Sequence, residues 1–178
     1  MIKYLIGSAI CLSIFLAWTA GAANGPDYFT VYLDPDSKKQ LGEKNYNEIL
    51  DFFKKAEAAI ESRDLDGVME LYSDNYVNGF HDKKSAKRTW KRIFRTFDGM
   101  ATKHMMRLVT HSSGNVAVIS CSGFLMGIPE GKKYLITIDH WANQDHIIAK
   151  EGGKWKLIGT SGKEEKRLWF DKPLHPFF

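Results

Sequence analysis

Asp64-Leu65-Asp66-Gly67-Val68-Met69-Glu70-Leu71-Tyr72-Ser73-Asp74 is the stretch that decides the fold. Asp64 is a natural N-cap, because its carboxylate can accept from the free N–H groups of a first helical turn. Leu65, Val68, Met69 and Tyr72 then fall on one side of a short helix over 65–72. Upstream, Ile49, Phe52, Phe53, Ala56 and Ile60 keep the 3.6-residue period of a one-sided helix, and Asn45 followed by Glu48 has the form of a capping box. Two successive helices with one apolar face each form a hairpin that must be buried against another layer.

Downstream the pattern repeats once and then changes. Ala86, Trp90, Ile93, Phe94 and Phe97 predict a third helix over 83–97, with Gly99 as its C-cap. From residue 103 the period becomes that of strands, over 103–111, 116–126, 133–148 and 154–160. The breaks between them, Ser113-Gly114-Asn115, Pro129-Glu130-Gly131 and Glu151-Gly152-Gly153, are turn chemistry, and short turns make antiparallel neighbours. The expected architecture is α+β: a curved antiparallel sheet wrapped around an N-terminal helical layer.

The 178 residues suit one core, with 44% hydrophobic, 26% charged and 13% aromatic residues, so disorder is not expected. The third helix is cationic on its polar side: Lys83, Lys84, Lys87, Arg88, Lys91, Arg92 and Arg95 have no acid among them. Either it is a solvated face, or Lys84, Lys87, Arg88, Lys91 and Arg92 dock on an anionic surface.

The first 22 residues read as a signal peptide. Lys3 is a short positive start, residues 4–18 are uncharged and mostly apolar, and Ala20 and Ala22 fit the small-x-small cleavage pattern. The expectation is cleavage after Ala22 and a periplasmic or secreted protein. The alternative is a membrane anchor over residues 4–23, near the roughly 20 apolar residues that span a bilayer. Cleavage would leave a formal charge of 4 − 1 = +3, too mild for a nucleic-acid partner. It would also leave Cys121 as the one cysteine, which rules out an internal disulfide and leaves the thiol as a small core residue, with a reactive nucleophile as the alternative. Residues 23–44 carry Gly25, Pro26, Pro35 and Gly42 and read as a linker holding one short strand at 29–33. Residues 163–178, with Trp169, Phe170, Phe177 and Phe178, read as a flap or a partner-binding tail.

The order of helix, short helix, strand, helix and long antiparallel strands resembles the nuclear transport factor 2-like superfamily. Its SnoaL-like and ketosteroid-isomerase-like members share a cone fold, and the resemblance covers residues 46–160. It is most specific at Asp64-Leu65-Asp66-Gly67 with Leu71-Tyr72-Ser73-Asp74, and is supported by Gly153-Lys154-Trp155-Lys156-Leu157. The resemblance implies a cone pocket and a homodimer. It does not carry steroid isomerisation across: in register, the isomerase's tyrosine falls on Ala56 and its aspartate on Phe80, and neither side chain does proton chemistry.

Strand alternation gives the candidate site. Tyr134, Ile136, Ile138, His140 and Ala142 share one face, and His104, Met106 and Leu108 share one in the first long strand. His140, His104 and His81 are therefore the candidate catalytic residues, each an imidazole that titrates near neutrality when unperturbed. Tyr76, Phe80, Ile138 and Trp141 are the candidate ligand-binding residues. The expected ligand is a small hydrophobic molecule, with dehydration or isomerisation as the chemistry, and no cofactor or metal is called for. The alternative is a non-catalytic module that dimerises through the sheet and docks through the cationic helix.

Overall fold

The computed structural model of the chain describes residues 31–79, 81–112 and 114–161. The signal segment, Phe80 and the 163–178 tail lie outside the described residues. The elements run β1 (Val31–Leu33), α1 (Ser37–Glu61), α2 (Leu65–Glu70), β2 (Val77–Asn78), β3 (His81–Asp82), α3 (Lys83–Thr96), β4 (Phe97–Ser112), β5 (Val116–Pro129), β6 (Ile136–Glu151) and β7 (Lys154–Ser161). Five strands form a curved sheet in the order β1-β4-β5-β6-β7, and β2 and β3 form a separate two-stranded ribbon. The helices lie over the concave face, which makes the molecule an α+β cone.

Each helix forms for the reason its sequence suggests, with corrected ends. Asp64 caps α2 by accepting from the Gly67 N–H at 3.0 Å. Asp82 and Ser85 cap α3 in a reciprocal box. α3 ends at Thr96 because Phe97 turns extended and opens β4; Gly99 is a strand residue, not a cap. α1 starts earlier than the Asn45–Glu48 pattern suggests. Gly42, at φ 73°, kinks it into a short turn and a long helix, and Asn45 and Glu48 are used elsewhere.

From residue 31 onward the linker assignment gives way to structure. Val31 and Leu33 are buried in β1, which pairs parallel with β4, so the sheet is mixed rather than wholly antiparallel. Ser37 Oγ accepts from the Leu108 N–H at 3.0 Å, and Tyr46 Oη donates to the Leu33 carbonyl at 2.8 Å. These bonds fasten the segment to the domain.

α1 buries Ile49, Phe52, Phe53, Ala56 and Ile60 against the sheet. Its outer end is pinned by Lys150, whose ammonium lies 2.6 Å from Glu48 and 2.8 Å from Asn45 Oδ1, and 5.1 Å over the Trp155 ring. Trp155 Nε1 also donates to Glu48, at 3.2 Å. On the opposite flank Trp90 of α3 donates to Tyr72 Oη at 3.1 Å, joining α3 to the end of α2 inside the core.

β6 departs most from simple alternation. Between the partners of Leu125 and Met126 it gains one residue, and between those of Cys121 and Gly123 another, where Asn143 adopts φ 50°. Each extra residue is a bulge that reverses which parity faces inward. Ile138 and Asp139 are therefore both buried, Trp141 follows them, and Gln144, His146 and Ile148 are buried beyond the second bulge.

Candidate functional site

The concave face gathers an unusual number of titratable groups for an apolar interior. Glu57 from α1, His104 from β4, Cys121 from β5 and His146 from β6 are all buried, His104 and His146 completely. Phe53 of α1 sits between the two imidazoles, its ring centroid 5.8 Å from His104 and 6.0 Å from His146. The His104 ring also lies 5.2 Å from Trp141. That approach depends on Gly123, the residue between them in the ladder: a Cβ there would stand 2.6 Å from the Trp141 ring and 2.1 Å from the Lys103 carbonyl.

The hydrogen bonds fix the direction of protons around His104. Thr102 Oγ1 lies 3.0 Å from the Phe124 carbonyl, which only accepts, so the hydroxyl proton goes there. The hydroxyl oxygen, 3.2 Å from His104 Nε2, must then accept, which places the imidazole proton on Nε2. Nδ1 is left as an acceptor, 3.6 Å from Cys121 Sγ. The thiol faces two acceptors for its one proton, this nitrogen and the Ser122 carbonyl at 3.7 Å, and Trp141 Nε1 donates to the sulfur at 3.2 Å. The chain therefore runs from Trp141 through Cys121, His104 and Thr102 to the Phe124 carbonyl with every member neutral.

Burial enforces that neutrality. It pulls His104 down to about 3, with the neighbouring His146 adding to the effect, and pulls His146 down to about 3. Burial also pushes the Cys121 thiol up to about 12, against an opposing contribution from the Trp141 N–H, while Glu57 raises it further. Cys121 is thus a protonated thiol at neutral pH, not a thiolate nucleophile. A neutral imidazole in such a site accepts a proton readily only if an anion arrives or lies close by to balance the imidazolium.

The candidates taken from the sequence divide. His104 and Trp141 are brought together on the concave face, as strand alternation in β4 predicts for His104, and Ile138 is buried further along the ladder beside Gly127. His140 is exposed on the outer face, because the bulge at Ile138 reverses the parity on which its inward placement depended. His81 is half-buried on the β2–β3 ribbon, opposite Asn78, rather than within the cluster. Tyr76 is buried, but its ring meets Tyr72 edge-on at 4.8 Å and its hydroxyl is pushed up to about 12 by burial. Phe80 lies outside the described residues.

Sequence reasoning missed His146 and Glu57. His146 shares the parity of His140 in simple alternation, and Asn143, a residue that tolerates left-handed backbone, marks the second bulge, which restores that parity beyond the first. Glu57 lies four residues after Phe53 and three before Ile60, at the edge of the apolar stripe of α1, where its charge and not its spacing argues for solvent. Among the described residues, no group of three or more His, Cys, Asp or Glu side chains is placed to hold a metal ion, and no helix is long and apolar enough to cross a membrane.

No protein-family model and no curated protein matches this chain. Solved structures match it at the level of the fold. A candidate scytalone dehydratase of Novosphingobium aromaticivorans superposes with a TM-score of 0.58 at 11% identity, covering 68% of this chain and 85% of that one. A candidate dehydratase of the NTF2-like family from Streptomyces avermitilis gives 0.54 at 10% identity, over 66% and 94% of the two chains. LinA gives 0.53 at 14% identity, over 69% and 87%. The chain has the nuclear transport factor 2-like fold.

Proposed function

We propose that the chain binds a small, mostly apolar molecule between α1 and the concave sheet face, and moves a proton on it in a lyase- or isomerase-type reaction. The observation that carries this reading is the gathering of His104, His146, Cys121 and Glu57 on one otherwise apolar face. A fold shared with candidate dehydratases supports it. In this reading His146 and Glu57 meet the polar end of the ligand and exchange its proton. His104, committed on both nitrogens, holds Cys121 and Trp141 in place. Ile138 and Trp141 contact the apolar body.

Native mass spectrometry of protein purified from its own compartment tests this. A small bound molecule, lost in His146→Ala and retained in His140→Ala, is the expected result. Bare protein throughout, or equal effects of the two substitutions, would sink the reading.

We further infer export: residues 1–22 direct the chain across a membrane and are removed, leaving it periplasmic or secreted. N-terminal sequencing beginning at Ala23 supports cleavage, whereas an intact Met1 in the membrane fraction favours an anchor over residues 4–23.

A second reading, an interaction module, is favoured by the outer sheet face. Tyr32 and Met105 stand opposite one another in the β1–β4 ladder, with Phe124 on the adjoining strand, and they are 43%, 54% and 37% exposed. Such a patch suits a homodimer interface. Sedimentation of Met105→Glu as a monomer beside a dimeric parent would support it, and an unchanged mass would not.

A further inference from the structure

The charge of this chain is unevenly placed. α3 carries seven cations and no acid, so the formal +4 of the whole chain leaves 4 − 7 = −3 for everything else. Folding does not ask for this. What α3 contributes to the core is Ala86, Thr89, Trp90, Ile93 and Phe94, and any mixture of polar residues would serve on its outer side.

Four of the cations form a line. Lys84, Arg88, Lys91 and Arg95 are spaced 4, 3 and 4 residues apart. At 100° and 1.5 Å per residue this keeps them within about 60° of arc over about 16 Å, on the side away from the core. All four are exposed. Lys83 and Lys87, on the flanks, are paired with Asp74 at 2.8 Å and Asp66 at 3.3 Å. The four in the line enter no ion pair among the described residues; the acid nearest to influencing them is Asp82, the helix cap, which feels Arg88. Like charges therefore meet at i+3 and i+4 along the whole row without local compensation.

We propose that this stripe docks the protein on the surface of an anionic phospholipid bilayer. A protein partner would need apolar or aromatic anchors at the centre of its interface. The exposed large apolar side chains among the described residues are Tyr32, Val77, Met105, Val109, Phe124, Tyr134 and Leu135, and none lies on α3. Two clefts among the described residues lie along α1, α2 and β7, and they reach α3 at Lys83 but at none of the four cations of the line. A flat layer of headgroups needs neither anchors nor a groove, only an unneutralised row of cations within a Debye length. The apolar segment over residues 4–18 also brings the chain to a membrane, whether it is cleaved there or retained. This surface is independent of the interior cluster and can fail or stand without it.

The test is co-sedimentation of protein purified from cells expressing the full chain, with phosphatidylcholine vesicles that do or do not contain phosphatidylglycerol. Comparing variants of equal net charge removes any contribution of the N-terminal segment. Lys84, Arg88, Lys91 and Arg95 are all changed to Gln in one variant; Arg107, Lys132, Lys133 and Lys154, exposed elsewhere, are changed to Gln in the other. Gln preserves helix propensity, and circular dichroism confirms folding. The parent is expected to partition onto the anionic vesicles at low salt and to leave them at high salt. The stripe variant should lose on the order of a hundredfold in partitioning and the control variant less than about tenfold. Equal losses in the two variants would overturn the proposal. So would indifference of the parent to phosphatidylglycerol, which would leave an acidic protein surface as the partner of the stripe.

Discussion

On the concave face of the sheet two imidazoles and a thiol lie buried in neutral form, while on the outer side of α3 four cations stand uncompensated in a row. The physical cost differs accordingly. A charge without a partner in the interior costs several kcal/mol, so the groups there give up their charge and order their protons instead. A like-charge pair on an exposed helix costs only a few tenths of a kcal/mol. The interior is therefore specified tightly, residue by residue, whereas the outer side of α3 is nearly free of folding constraints. Composition that folding does not explain is most informative where folding constrains least.

The contrast breaks first at Cys121. If its thiol is as deeply neutral as its surroundings imply, alkylation of the folded protein at pH 8 should run about a thousandfold slower than in denaturant, from the loss of thiolate alone. Time-resolved iodoacetamide labelling read by mass spectrometry measures this. Rapid labelling of the folded state would mean that the concave face holds an activated sulfur. Next comes Gly123, where a Cβ would meet backbone as well as the Trp141 ring. Gly123→Ala should cost about 3 kcal/mol in urea unfolding. Gly131→Ala, at φ 69° with open space around it, should cost about 1 kcal/mol.

The pH dependence of stability sharpens the same comparison. His104 and His146 have folded values of about 3, below the ordinary 6.5, so the unfolded chain binds more protons between those limits. Stability should be complete above pH 6.5 and fall as the pH drops. Between pH 6.5 and 5, above the carboxylate range, the loss should reach about 3 kcal/mol for the pair. Urea midpoints measured across that window check it. A flat profile would place water or a counter-charge beside the imidazoles, and the double variant His104→Asn with His146→Gln should flatten the slope if it folds.

Much of this architecture was legible because it rests on local rules. Asp64 capping α2, the apolar face of α3 and the glycine-containing turns between long strands each depend on a few neighbouring residues, and the structure keeps them. His104 was legible too, since β4 alternates without interruption from Met100 to Leu108. His140 was misplaced because the residue inserted at Ile138 flips the side chains beyond it, and the second insertion, at Asn143, flips them back before His146; bulges are decided by pairing with a neighbour rather than by local sequence. The ordering of 34–44, read as linker beyond the expected short strand, was missed for a related reason. It comes from non-local partners, β4 and Leu108 above all, that no window around Pro35 or Gly42 contains.

The smallest effect tests the outer side of α3 by its sign. Arg88 has Lys84 four residues before it, Lys91 three after and Arg92 four after, so Arg88→Glu turns three repulsive helix spacings into attractive ones. Against this stands the loss of the attraction between Arg88 and the Asp82 cap, so the gain is small. Thermal or urea unfolding should show a gain of about 0.5 kcal/mol over the parent. A loss instead would mean that Arg88 makes a folding contact of its own, and the stripe would then need no partner to explain it. A gain would mean that the natural sequence retains a cation where an anion folds better, as expected of a side chain kept for what it meets outside the molecule.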